Sequence, residues 1–244
     1  SNYPIHFKIN SGLNRIGFKK HEIEKAIGLI LNSNRFFIQS IYSHLSASED
    51  LNEKMFTLQQ IKSFEKSIEK ILPKLSHKPI LHMSNTSGII NYPESEFDMV
   101  RCGIGLYGFS NKLSTPLKPV HKLLSTISQI IEVSKGESVG YNRAYIAKEK
   151  TRVGIIPLGH ADGISRSFNI GGYVIIGNKK CKIIGNVCMD VIMVNLNGTA
   201  ANEGDQVIIF DDKNTAENFA ESVGTISYEI LTNLSSRIER RIVS

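Results

Sequence analysis

The sequence predicts an α/β fold followed by an all-β one, with the change of texture near residue 115. Before residue 110, short apolar runs alternate with stretches of helical periodicity. After residue 120, short β-branched runs follow one another with turn residues between them. The two are divided by FDMVRCGIGLYG, residues 97–108, where an apolar run ends in Arg101 and glycines follow at 103, 105 and 108. An arginine at the end of a buried strand is costly to desolvate and calls for an acceptor or an anion beside it. The glycines let another group approach the backbone closely, or let the chain turn with positive φ.

The first domain spans residues 1–115. HFKI (6–9) is a strand, and NSGLNRIGF after it is a loop rich in turn residues. Residues 19–32 place Ile23, Ala26, Ile27 and Ile30 at helical spacing. FIQSIYSH (37–44) has the β-branched and aromatic content of a strand. Residues 50–71 carry Met55, Leu58, Ile61, Phe64, Ile68 and Ile71, one stripe of a long amphipathic helix. Residues 79–83 form a third strand, followed by the small-residue loop SNTSG, and Met99–Val100 a short buried fourth one. This alternation implies a parallel sheet with right-handed crossovers. Four such units match half of a (β/α)8 barrel in size, and a small open sheet is the other solution. Polar residues follow each strand: Lys8, Asn10 and Arg15; then His44; then Ser84, Asn85 and Thr86; then Arg101. In parallel α/β folds the carboxyl ends of strands carry the site, so four loops converge on one mouth.

The second domain spans 116–244 and follows a linker, 110–119, that contains Pro116 and Pro119. Strands are expected over 123–133, 153–157, 173–176, 181–184, 191–196 and 207–210, with turn signals such as Gly177-Asn178 between them. Regular short strands of this kind mean an all-β, β-barrel-like domain. A helix is expected over 215–223, and a last strand over 237–243, where charged and apolar residues alternate.

Composition narrows the function. With 41% hydrophobic and 21% charged residues the chain is an ordinary globular one. The net charge of +6 comes from dispersed residues and short pairs (Lys19-Lys20, Lys179-Lys180, Arg240-Arg241), without the clustering a nucleic-acid footprint needs. Three cysteines with no CxxC pair argue against a disulfide framework and a Cys-rich zinc site, and suit a reducing cytoplasm. No apolar run approaches a membrane span.

Three motifs invite chemistry. GIGLYG fits G-x-G-x-x-G, but FSNKLSTPLKP behind it cannot supply the helix that a dinucleotide site requires, and the ribose-binding acid is missing. His160 and Asp162 in LGHADG could ligate a metal, but two ligands are weak evidence, and a turn stabilised by Asp162 is the simpler reading. Tyr141 in SVGYNRAY and Tyr228 in TISYEI are core or interface aromatics, unless neighbours stabilise a phenolate.

KINSGLNRIGF, YSHLSAS, HMSNTSG, FDMVRCGIGLYG and SVGYNRAY, followed by LGHADG, NVCMD and TISYEI, resemble in order the conserved blocks of alanine racemases, fold-type III enzymes that use pyridoxal 5'-phosphate. The resemblance covers essentially the whole chain and implies the last four units of the family barrel plus its C-terminal β domain. It implies that Arg101 faces the cofactor's pyridine nitrogen and that His44 lies between Arg101 and the catalytic Tyr141, which reaches the partner subunit's site in a homodimer. Asn85, Thr86, Gly103, Ile104 and Tyr228 would hold the phosphate. Arg15 would contact the cofactor and the substrate carboxylate, which Met189 would also meet through its main chain. Lys8 matches a lysine often carbamylated in the family. Asn10-Ser11 stand for the usual Asp-Thr, Thr86 for Ser, and His160 for a tyrosine seen at the entrance. This last change resembles the racemase halves of fused ligase–racemase proteins of cell-wall synthesis.

Nothing in the sequence resembles the family's A-V-V-K-A-N-A-Y-G-H-G segment with its Schiff-base lysine. The expectation is therefore a chain without the N-terminal half of the barrel, inactive alone, from a parent that interconverts L- and D-alanine. A non-catalytic module and a racemase of another amino acid such as serine are the alternatives. A half-barrel also exposes sheet edges, so self-association is expected.

Overall fold

The structure, a computed structural model, describes residues 3–33, 35–110 and 117–243. They form two compact units, 1–117 and 118–244. The expected boundary at 115/116 and the middle of the linker lie outside the described residues.

In the first unit, β1 (Tyr3–Lys8), β2 (Phe36–Tyr42) and β3 (Ile80–His82) make a parallel sheet in the order β1-β2-β3. Helices α1 (Ile23–Asn32) and α2 (Lys54–Ile71) are the crossovers, and α3 (Thr86–Asn91) follows β3. The helices form where periodicity placed them: Ile23, Ala26 and Ile27 of α1 and Ile61, Phe64, Ile68 and Ile71 of α2 are buried against Phe7, Ile38 and Ile41 of the sheet. The first turn of the 50–71 stretch is a 3-10 turn, Leu51–Glu53, whose entry is capped by the Asp50 carboxylate accepting from Asn52 N. The fourth strand is different from expectation. Met99 makes a single parallel bridge to His82, and Met99 and Val100 are each 40% exposed rather than buried. No described strand pairs on their outer side, so a bridge one residue long is all that forms. Phe97 before it has a left-handed φ of 52° and packs edge-on against Phe64.

The second unit is a seven-stranded antiparallel sheet of β4 (Leu123–Thr126), β5 (Gln129–Val133), β8 (Thr151–Ile156), β9 (Tyr173–Ile176), β10 (Lys179–Ile184), β11 (Ile192–Asn195) and β12 (Gln206–Phe210). Its order is β4-β12-β9-β10-β11-β8-β5. The stretch 123–133, read as one strand, is two, broken at Ile127-Ser128. Those two strands are the opposite edges of the sheet, and a two-residue link can join them only if the sheet curls until its edges meet. A small hairpin, β6 (Ser138–Val139) with β7 (Tyr145–Ile146), stands apart. The β9–β10 turn has Gly177 at φ 52° and Asn178 at φ 66°, the geometry the Gly-Asn signal demands.

Helix α4 (Ala216–Glu221) begins behind its Thr215 cap. A further helix, α5 (Ser227–Asn233), carries Tyr228 and was not foreseen. The strand expected over 237–243 is absent. Arg237 and Arg240 turn back onto Asp162, Asp190 and nearby carbonyls, and Ile242 and Val243 are exposed. Alternation supplies a strand only where an edge is free to pair it. Among the described residues no helix is long and apolar enough to cross a membrane.

Candidate active site

Arg101 is the centre of the first unit's polar cluster. Its amide donates to Ser84 O (3.0 Å), which ties it to the loop after β3. Its Nη2 donates to Ser43 O (2.9 Å), Met83 O (2.9 Å) and His44 Nδ1 (3.1 Å), and its Nη1 to His82 Nδ1. Ser43 and Met83 follow the last residues of β2 and β3, so the guanidinium spans the carboxyl ends of both strands. Among the described residues its Nε–H has no partner.

A guanidinium can only donate, so the nitrogens it meets must accept. His82 therefore carries its proton on Nε2, which donates to Ser40 Oγ at 3.2 Å, and Ser40 Oγ makes a second hydrogen bond with His6 Nδ1 at 2.6 Å. Ser40 and His82 are buried along this chain. His44 likewise keeps its proton on Nε2, facing away from Arg101. Burial, followed by the Arg101 charge, holds the pKa of both His44 and His82 down at about 4, so both are neutral at pH 7.

Lys8 and Arg15 share this environment. Burial pushes the Lys8 ammonium below its ordinary range, with Arg15 and then Arg101 adding to the shift, and both Lys8 and Arg15 also act on His44. Lys8 Nζ and the Arg101 guanidinium lie over the Tyr42 ring at 5.3 and 5.6 Å, and that ring stacks on His82. The loop carrying Arg15 is shaped by Asn10, whose Oδ1 accepts from Gly12 N (3.2 Å) and Asn14 N (3.1 Å), with Asn14 left-handed at φ 57°. Ser11 donates to Ser43 Oγ (2.7 Å), whose own hydrogen goes to Ile9 O. Lys8, Arg15 and Arg101 pair with no carboxylate among the described residues. Three cations without a carboxylate partner and an open Nε–H suit an anionic ligand bearing a ring acceptor.

The neighbouring loops meet at Thr86. Its Oγ1 accepts from Gly103 N (3.1 Å) and Gly105 N (3.2 Å), so those two amides, one of them expected to take a phosphate, are already partnered. A Cβ on Gly105 would lie 2.8 Å from Thr86 Cγ2, whereas one on Gly103 would meet nothing within 4 Å, which leaves open space there. Ile104 is buried in the 3-10 turn Ile104–Tyr107, which is the short end of GIGLYG and not a dinucleotide helix. Asn85 caps α3: its Oδ1 accepts from Gly88 N (2.9 Å) and Ser48 Oγ (2.9 Å), so only its amide hydrogens remain for a ligand.

In the second unit, Tyr141 and Met189 line one cavity of about 330 Å³ together with His160, Arg166, Asn186, Val187 and Cys188. Tyr141 is 73% exposed and opens the 3-10 turn Tyr141–Arg143. Met189 O accepts from Ala161 N (3.0 Å), which lays the LGHADG loop across NVCMD. Asp162 is a turn residue rather than a metal ligand. Its carboxylate takes Gly159 N (2.8 Å) and two hydrogens of Arg237 (2.6 and 2.9 Å), and the Arg237 hydrogen bond holds its pKa below the usual carboxylate range. Tyr228 lies on α5, away from that cavity's lining.

Sequence reasoning therefore placed Lys8, Arg15, His44 and Arg101 in one cluster, which the structure brings together, and missed Tyr42, His82, Ser40 and His6. The available signal was strand alternation: Ser40 and Tyr42 point to one side of β2, in register with His6 and His82 on its neighbours.

The family profile described as alanine racemase, N-terminal domain, matches residues 1–111, and that described as alanine racemase, C-terminal domain, matches 120–242. The alanine racemase of Vesicomyosocius okutanii is 36% identical over 237 residues, covering 96% of this chain and 65% of that protein. That of Helicobacter pylori strain G27 is 37% identical over 254 residues, covering 97% and 66%. A crystal structure of alanine racemase from Bartonella henselae with covalently bound pyridoxal phosphate superposes with a TM-score of 0.86 at 28% identity, covering 98% of this chain and 66% of that one. The chain thus spans just under two thirds of the length of these relatives. With both domain profiles matched in succession, and with the arginine, histidine and tyrosine blocks in their order, the chain belongs to the alanine racemase family.

Proposed function

We propose that the chain works in a pyridoxal-phosphate-dependent alanine racemase, an isomerase that interconverts L- and D-alanine for peptidoglycan synthesis in the cytoplasm, as a homodimer with shared active sites. The observation that carries this is Arg101: a permanent cation held at the carboxyl ends of β2 and β3 by neutral acceptors, with its Nε–H unpartnered among the described residues. The cofactor, when bound, supplies the electron sink that makes an amino-acid α-proton removable. Arg101 would meet its ring nitrogen, and as a cation that keeps its own protons it would leave that nitrogen unprotonated. The Asn85 amide hydrogens, the Thr86 and Tyr228 hydroxyls and the Ile104 amide would hold the phosphate, and Gly103 would join them only by releasing its amide from Thr86 Oγ1. Arg15 and the Met189 main chain would take the substrate carboxylate. Lys8, its ammonium disfavoured by burial and two arginines, is suited to carbamylation, which would turn it into an anion facing Arg15. Tyr141 would hold or return the proton on one face of the amino acid.

A second reading is favoured by one observation: no segment here resembles the family's lysine segment, and racemisation needs a base on each face. Under it the chain is a partial barrel, the last four units, that binds the cofactor without turning over unless that lysine is supplied. Equilibrium dialysis with pyridoxal phosphate and conversion of L-alanine and L-serine, read by D-amino-acid oxidase, separate the two. Binding with conversion of alanine supports the first reading, and binding alone the second. No binding, or binding that survives Arg101→Ala unchanged, sinks both.

A further inference from the structure

We infer that Asn186 is a positioning residue that clamps the main chain of the Tyr141 turn; the inference rests on Tyr141 having the role proposed above. The turn is poorly held by itself. Asn142 (φ 57°, ψ 18°) and Arg143 (φ 51°) are consecutive left-handed non-glycine residues, a conformation such side chains disfavour. Its internal hydrogen bonds, Arg143 N to Gly140 O and Ala144 N to Tyr141 O, are both 3.3 Å long. The shorter bond comes from outside: Asn186 Nδ2 donates to Tyr141 O at 3.0 Å.

Asn186 is itself held. Its Oδ1 accepts from Asn169 Nδ2 at 2.7 Å, which fixes which end of the amide faces Tyr141, and the Cys188 thiol donates to its main-chain oxygen at 3.6 Å. Glycines bring the two segments together. A Cβ on Gly185 would sit 2.8 Å from Val139 O, and one on Gly140 would sit 3.2 Å from Asn186 N. Asn186 also lines the cavity that holds Tyr141. A side chain 73% exposed cannot be oriented by packing, so the carbonyl of its own residue is where orientation can be imposed.

The test is amide hydrogen exchange on the full chain, with Asn186→Ala and the milder Asn169→Ala. Exchange at Arg143 and Ala144, whose amides make the turn's own hydrogen bonds, should rise about fivefold in Asn186→Ala, the factor that one lost hydrogen bond makes in an opening equilibrium, and less in Asn169→Ala. In the cofactor-loaded racemase, kcat should fall about ten- to a hundredfold with KM little changed, because a displaced base costs turnover rather than binding. Unchanged exchange in both variants overturns the clamp, and if Asn186→Ala does not fold, Asn169→Ala decides alone. Raised exchange with unchanged kcat overturns its role in the reaction. A parent chain that does not racemise at all, with exchange behaving as expected, refutes the activity and leaves the clamp standing.

Discussion

Arg101 donates to Nδ1 of His82, and that contact leaves the proton of His82 on Nε2, facing Ser40. Ser40 Oγ is hydrogen-bonded in turn with His6 Nδ1. The cation is thereby anchored through neutral His82 and the Ser40 hydroxyl instead of a carboxylate, which leaves its charge uncompensated for a ligand.

Acid should loosen this cluster. The pKa of His44 and of His82 is about 4 in the folded chain against an ordinary 6.5, so between those values the unfolded chain binds more protons. Their contribution to stability is intact above pH 6.5 and is lost as pH falls toward 4. Urea midpoints measured between pH 7 and 4 should fall, and fall less steeply in His82→Asn; parallel curves would refute the account.

Arg101→Lys keeps the charge and loses the fork. A lysine cannot reach Ser43 O, Met83 O and His82 together, so buried acceptors are left unmet at a cost of about 1–3 kcal/mol. Pyridoxal phosphate retention on dialysis should drop with it. Wild-type stability together with wild-type retention would remove Arg101 from the centre of the site.

Gly159→Ala should be among the most damaging small substitutions. Its Cβ would lie 2.3 Å from Met189 O and 2.5 Å from Cys188 O, which are backbone atoms that cannot swing aside. A loss of about 1–3 kcal/mol is expected from such overpacking, read as a lower melting temperature, with Met189 displaced.

Tyr92→Phe should go the other way. Tyr92 is 1% exposed and its hydroxyl has no hydrogen-bond partner among the described residues. Removing it deletes an unpaid desolvation cost, so stability should be unchanged or up to about 1 kcal/mol higher by urea denaturation. A clear loss of stability would reveal a partner for that oxygen.

The two-part architecture was legible because period and composition are local properties. Ile23, Ala26 and Ile27 announce α1, and Gly177-Asn178 announces the β9–β10 turn. Elements whose existence depends on a distant partner were misread: Met99–Val100 looked buried, 237–243 looked like a strand, and Ile127-Ser128 gave no sign of separating opposite sheet edges. Among site residues, Arg101 and His44 stood out by their place after apolar strands. His82 and Ser40 did not, because their importance lies in facing each other across β2 and β3.

What the sequence determined by itself is therefore the order of elements, the residue types gathered at strand ends and the likeness to alanine racemases. Only the tertiary structure decided which groups accept from Arg101, which nitrogen of His82 carries the proton, and that Thr86 has already taken two glycine amides. The reason is physical: propensity and periodicity act over a few residues, whereas desolvation and hydrogen-bond satisfaction are settled between atoms that only folding brings within 3 Å of one another.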